Sequence, residues 1–313
     1  MEWFSNRGDV GNRQNVTVRQ RPMTLDHEVV AVAADPGLFG PRSVSWQVHS
    51  DPAMWLAGIR SLYLQALHPR VVAGVIQNSD FQQDPLGRLL RTANFVGVST
   101  YGCTEEARAL AARVRGIHRS LRLTDPDTGT AHRVDEPDLL LWVHCAEVAS
   151  FLGVTVRAGY RLSAAQIDRY YDEQRRTAEL VGLRGEEVPG SAAEMTEYFA
   201  AMRPSLRAGQ DAATIYRFLH RPPLPAKLRP GLLAYQPLAG HLAFSLLPRW
   251  AARLYGHRPY PGTVATTMLR TFRTAALLAP PGTPYLGRGP HVQGAVDRIG
   301  PRAVPSRANL ASG

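Results

Sequence analysis

The chain has 313 residues, 44% hydrophobic and 20% charged, with a formal net charge of +10. That length and apolar content suffice for one large domain or two small ones with a full core, and they exclude a wholly disordered chain. No stretch of about 18 apolar residues runs free of charge, which excludes a multi-span membrane protein.

Residues 1–22 are polar and basic, lack an apolar signal core, and read as a flexible N-terminal arm. Residues 23–280 form the expected helical domain. Weak period-two alternation marks 27–33 and 95–101 as the two strand candidates. Asp51-Pro52 opens a helix through Met54, Ile59, Leu62 and Tyr63, and His68-Pro69 breaks it before the run Val71 to Ile76. Asp84-Pro85 opens another helix through Leu86, Leu89, Leu90 and Ala93. Thr104, followed by Glu105 and Glu106, is the expected cap of a long helix with the stripe Leu110, Val114, Ile117 and Leu121. The run from Asp125 to Gly129 lacks most calcium ligands and reads as a turn.

Pro137 starts a segment that is apolar nearly all round, from Leu139 to Val148, the pattern of a central buried helix. Ser163 with Gln166, and Ser191 with Glu194, are capping boxes. Asp211 is placed to cap a helix through Ile215, Phe218 and Leu219. Two last helices follow, near 231–256 and 261–279. Residues 281–313 are rich in Gly, Pro and Arg and read as an irregular C-terminal tail. The prediction is an all-α protein, a single large helical domain of about ten helices.

Dinucleotide, P-loop, zinc-protease and nucleophile-elbow motifs are absent from the sequence. Two histidines stand on apolar helix faces: His118, in line with Leu110, Val114 and Leu121, and His144, near Leu140 and Val148. A histidine so placed is most often a satisfied core residue. Two of them in one helical protein also fit a haem pocket, where a neutral imidazole holds the iron. Arg88, Arg91 and Thr92 share a helical face, and Arg122 follows His118 by four. Arginine against an apolar site points to a carboxylate or phosphate, and the alternative is an ordinary surface ion pair. His132, His220, His241 and His257 receive no role.

Several short blocks occur together in order: Ser43-Val44-Ser45-Trp46 with Asp51-Pro52; Leu64 to Pro69; Phe81 with Asp84 to Leu89; Val114 to Arg119; and Asp138 to His144. On these blocks, residues 41–280 resemble the MpaB-like family of haem b oxygenases. That family includes latex-clearing protein, a rubber oxygenase, and the fungal oxygenase that cleaves the farnesyl chain in mycophenolic-acid synthesis. The resemblance implies an all-α fold around haem b, with His118 as the iron ligand, and Arg122, His144 and Arg88 near the haem. It implies distal roles for Arg88, Arg91 and Thr92. Where the rubber enzyme carries lysine this chain has Arg91, and guanidinium is a poor metal ligand, which leaves the sixth iron position to water or open.

The function this implies is oxidation of a small or medium apolar metabolite with O2 or peroxide, in specialised metabolism. An external reductase is one electron source and peroxide the other. Scattered arginines argue against a nucleic-acid partner. Cys103 and Cys145 form no paired motif, which together with the missing signal core points to the cytoplasm. A haem sensor or carrier without turnover, and a helical interaction protein without cofactor, are the two other readings.

Overall fold

The computed structural model describes residues 34–78, 85–223, 230–280 and 289–310, without the side chains of Pro85, Leu86 and Arg88. The N-terminal arm and the strand candidate at 27–33 lie outside these residues. What is described is all-α apart from one small hairpin.

Helix α1 (Val44–His49) starts where the Ser43 hydroxyl accepts the Trp46 amide at 3.1 Å. Helices α2 (Met54–Gln65) and α3 (Pro69–Asn78) follow, divided as expected at His68-Pro69. Helix α4 runs from Pro85 to Tyr101. It therefore takes in residues 95–101, which the alternation had marked as a strand. Val96 and Val98 favour strand locally, but the ring and hydroxyls of Phe95, Ser99 and Thr100 pack at helical spacing, and tertiary packing overrides the local preference.

Helix α5 (Thr104–Ser120) is capped by Cys103, one residue before the expected Thr104. The Cys103 sulfur accepts the Glu106 amide at 3.5 Å, and Glu106 accepts the Cys103 amide at 2.9 Å, closing a capping box. Thr104 instead donates from its amide and hydroxyl to Asp35. The buried stripe of α5 is Ala107 and Ala111, continued by half-buried Val114 and His118; Ile117 faces outward at 49% exposure.

Strands β1 (Arg122–Thr124) and β2 (Ala131–Arg133), unexpected from the sequence, pair antiparallel with Leu123 opposite His132. The turn between them is the expected one. Asp125 Oδ1 accepts the Asp127 amide at 2.8 Å, and Gly129 sits at φ 69°, a conformation that favours glycine.

Helix α6 (Pro137–Arg157) is the central helix. Among the described residues it alone is long and apolar enough to cross a membrane, and 67% of that window is buried inside the protein. It packs along α2, where Trp142 donates to the Gln65 carbonyl at 3.0 Å. Helix α7 (Ala164–Val181) carries the expected Ser163–Gln166 box. It runs antiparallel to α6: Phe151 and Tyr170 both meet His49, while Leu140 joins Ala178 and Leu183.

Helix α8 (Ala192–Met202) is capped by Ser191, but Glu194 turns to the Gly190 amide rather than back to Ser191. Helix α9 (Gln210–His220) starts at Gly209, with Asp211 inside the first turn rather than at the cap. The predicted helix near 231–256 is divided into α10 (Leu232–Tyr235), a π turn (Gln236–Gly240), α11 (His241–Ser245) and α12 (Arg249–Leu254). Pro237 and Pro248 explain the divisions, since proline removes an amide from the helical ladder. Gly240 lies against α9, where a Cβ would meet the Leu219 carbonyl oxygen at 2.7 Å. Helix α13 (Gly262–Leu277) matches its expected span.

The C-terminal stretch is not irregular throughout. Residues Pro290–Ile299 form α14, with Pro290 at its first position. Val292 and Ala295 of α14 pack with Ala303 around Trp46 and Tyr101. Trp46 donates from its indole to the Ala303 carbonyl at 2.9 Å, and Tyr101 donates to the Trp46 carbonyl at 2.8 Å. The main core gathers Tyr63, Trp142, Tyr170 and Phe244 between α2, α6, α7 and α11.

Candidate functional site

Helix α4 carries the predicted arginine–threonine stretch. Its backbone passes through Arg88, whose side chain lies outside the described residues. Arg91 and Thr92 are exposed. One and two turns further along that side stand Phe95, Val96, Ser99 and Thr100. Thus Arg91 and Thr92 occupy the outer end of a stripe whose inner end is buried.

Helix α5 carries His118 in its last turn, on the Ala107–Ala111 stripe. Its Nδ1 is buried and meets no hydrogen-bond partner. Burial holds the imidazole below its ordinary pKa, against an opposing pull from Asp135. Arg122, at the start of β1, is exposed and donates to the carbonyls of Arg119 at 2.7 Å and Leu121 at 2.9 Å. It remains beside His118 in the chain but makes no buried contact.

His144 stands in the middle of α6 and is 5% exposed. Its Nε2 is likewise buried and unpartnered. Burial pushes its pKa down to about 4, so the ring is neutral near pH 7. Two of the predicted residues, on different helices, therefore share an unusual property: a neutral imidazole with an unsatisfied buried nitrogen.

One turn beyond His144, α6 presents Glu147, Val148 and Phe151 to a small cavity of about 10 Å3. The opposite walls are Phe95, Val96, Ser99 and Thr100 of α4, His49 of α1, and Gln174 and Thr177 of α7. The volume holds about one water, so a macrocycle does not occupy it. His49 Nδ1 lies 2.8 Å from Thr100 Oγ1, and His49 Nε2 lies 3.0 Å from the Tyr170 hydroxyl. Thr100 spends its single proton on the Val96 carbonyl at 2.7 Å. His49 must then donate from Nδ1 and accept from Tyr170 at Nε2, which fixes its tautomer. Burial depresses His49 to about 3 and keeps it neutral.

His49, Ser99 and Glu147 were not singled out from the sequence. One signal was present: Glu147 is the only acid between Leu139 and Val156, within the most apolar helix. Three histidines without an assigned role also gather. His220 Nδ1 lies 2.8 Å from the Tyr63 hydroxyl, His220 Nε2 lies 3.2 Å from His241 Nδ1, and His257 stacks on Tyr216. Among the described residues no three His, Cys, Asp or Glu side chains are grouped to hold a metal ion.

Comparison with curated proteins and with solved structures returns no match. Comparison with protein families does: the model described as ER-bound oxygenase mpaB/B'/rubber oxygenase, catalytic domain, matches residues 46–279. That span contains α2 through α13, with both orphaned imidazoles and the residues that line the small cavity, and the chain belongs to this oxygenase family.

Proposed function

We propose that the protein is a haem b-dependent oxygenase that acts with O2 or peroxide on a small or medium apolar metabolite. Family membership supports the oxygenase part. The observation that carries the haem part is the pair of neutral imidazoles, His118 and His144, each with a buried nitrogen that nothing in the protein satisfies. Buried polar atoms are nearly always hydrogen-bonded, so such atoms call for a ligand. A haem iron asks the protein for one neutral imidazole rather than a cluster of three or four ligands.

In this reading His118 is the iron ligand and His144 lies against the cofactor. Arg122 and Arg88 pair with the propionates, guanidinium to carboxylate. Bound haem supplies the one-electron chemistry that activates oxygen. Arg91 and Thr92 donate hydrogen bonds that orient the oxidant, and the apolar faces of α4 and α6 receive the substrate and exclude water. Electrons come from peroxide itself or from an external reductase.

The test is an absorption spectrum of protein expressed with haem supplied. A Soret band that shifts with dithionite and again with carbon monoxide is expected; no band after hemin reconstitution sinks the reading. His118→Ala is expected to lose the bound haem or change its spectrum. An unchanged spectrum there, with loss in His144→Ala, moves the ligand to His144. Arg91→Ala should load haem normally and turn over about 100-fold more slowly, the scale of one lost donor to a developing charge.

A further inference from the structure

The arginines are spread along the chain, but the charge balance is not. Between Asp211 and Asp297 there is no Asp or Glu, while ten of the 36 Lys and Arg fall there. The other 26 are matched by all 26 acids, so residues 212–296 carry the whole excess of +10. The same segment holds six of the seven large apolar side chains that stand exposed among the described residues: Leu233, Leu238, Leu254, Val264, Leu277 and Leu278. One exposed leucine is ordinary. Their concentration where no acid occurs marks an interaction surface.

Helix α13 gives this surface a face. Its inner side is buried through Ala265, Leu269 and Ala276, and Arg273 is turned inward to Asp51 at 2.7 Å. On the outer side Val264 stands near the start, with Leu277 and Leu278, the latter 79% exposed, at the end. Between them Arg270 shares a shallow, open groove with Thr267, Thr271 and Thr274, at the spacing of one helical face. Arg270 donates to the Arg157 carbonyl at 3.4 Å, and Arg157 donates to the Thr266 hydroxyl at 2.9 Å and the Gly262 carbonyl at 3.0 Å. Among the described residues no carboxylate answers either guanidinium.

We propose that the outer face of α13 docks on an anionic lipid bilayer: Val264, Leu277 and Leu278 enter the boundary between headgroups and acyl chains, while Arg270, backed by Arg157, meets the lipid phosphates. Basic side chains draw the protein to a negative surface and apolar ones then insert, so the two contributions add. The face suits lipid better than other anionic partners. A nucleic acid offers the protruding leucines no apolar interior. A second copy laid symmetrically on this face sets Arg270 against Arg270 with no acid nearby. A folded acidic protein seats side chains in shaped pockets, and this groove is shallow. The docking itself is independent of haem. Its consequence, that the enzyme meets an apolar metabolite where that metabolite partitions, rests on the oxygenase reading.

The test is co-sedimentation of the full chain with vesicles of mixed phosphatidylglycerol and phosphatidylcholine, and with vesicles of phosphatidylcholine alone. Binding to the mixed vesicles that weakens as salt rises, and little binding to the neutral ones, is expected. Replacing both leucines, Leu277→Ser with Leu278→Ser, should weaken binding about 30-fold. Arg270→Gln should weaken it about 5-fold, while Arg113→Gln, which removes the same charge from the exposed side of α5, should change it little. All four positions are exposed, so unfolding temperatures should stay at the wild-type value. Separately, the indole added by Leu278→Trp should shift its emission to the blue with mixed vesicles. No binding, an added indole that stays in water, or binding indifferent to the leucine pair overturns the proposal. Self-association that the leucine pair abolishes, without vesicle binding, gives the face to a second copy and overturns it equally. Protein with and without haem should bind alike, so a missing Soret band counts against the haem reading alone.

Discussion

At the scale of single residues, Glu147 pays an electrostatic penalty that is measurable without any substrate. Its carboxyl is raised from 4.5 to about 7 in the folded protein. Below pH 4.5 folded and unfolded chains both hold the proton, and nothing is lost. Between 4.5 and 7 the unfolded chain has released the proton and the folded one retains it, so stability declines as pH rises through this window. Glu147→Gln removes the slope. The variant should gain on wild type as pH goes from 5 to 8, by about 1–3 kcal/mol in denaturant titrations; a constant difference would contradict the raised pKa. The same residue shows the limit of reading a site from sequence. His118, His144 and the arginine–threonine stretch were legible because each stands on a helical face within a recognisable block. Glu147, Ser99 and His49 come from three helices and meet only through packing, which no local spacing encodes.

Among elements, the helix starts were the most legible, since caps are local hydrogen bonds. Ser163 and Gln166 stand where the capping box requires, and Ser163→Ala should cost about 1 kcal/mol. At α5 the cap moved from Thr104 to Cys103 because Asp35, distant in sequence, claims the Thr104 hydroxyl. The misread strand at 95–101 has a similar cause: β-branched residues set a weak local preference, and burial along α4 outweighed it. The π turn at Gln236–Gly240 was invisible because its condition is a neighbour. Gly240→Ala would press a methyl group against the Leu219 carbonyl. It should destabilise the protein by about 1–3 kcal/mol, read from thermal or denaturant unfolding; a neutral effect would show that α9 and the π turn can separate freely.

For the whole molecule, the buried histidines set the acid limit. His68, His144 and His220 are each held down to about 4, and His49 to about 3, with burial the leading cause. All are neutral when folded, while the unfolded chain takes protons from pH 6.5 downward. Their contribution is present above 6.5 and is lost as pH falls from there towards 4 and below. The melting temperature should therefore drop steeply over that range, and a flat profile would contradict the burial of these rings. The C-terminal helix also bears on the whole. Trp46 and Ala303 are joined across 257 positions, and α14 covers α1 and α4 together. This contact escaped the sequence reading because Gly, Pro and Arg dominate the composition around a single short helix.

The same contact has a consequence in time. During synthesis α4 leaves the ribosome about 190 residues before α14 does, an interval of about 10–40 s at ordinary elongation rates. Throughout it the outer side of α4 and the indole of Trp46 are uncovered, although α1 and α4 are complete. The helix that bears Arg91 and Thr92 is thus clamped at its Tyr101 end only after α14 has emerged.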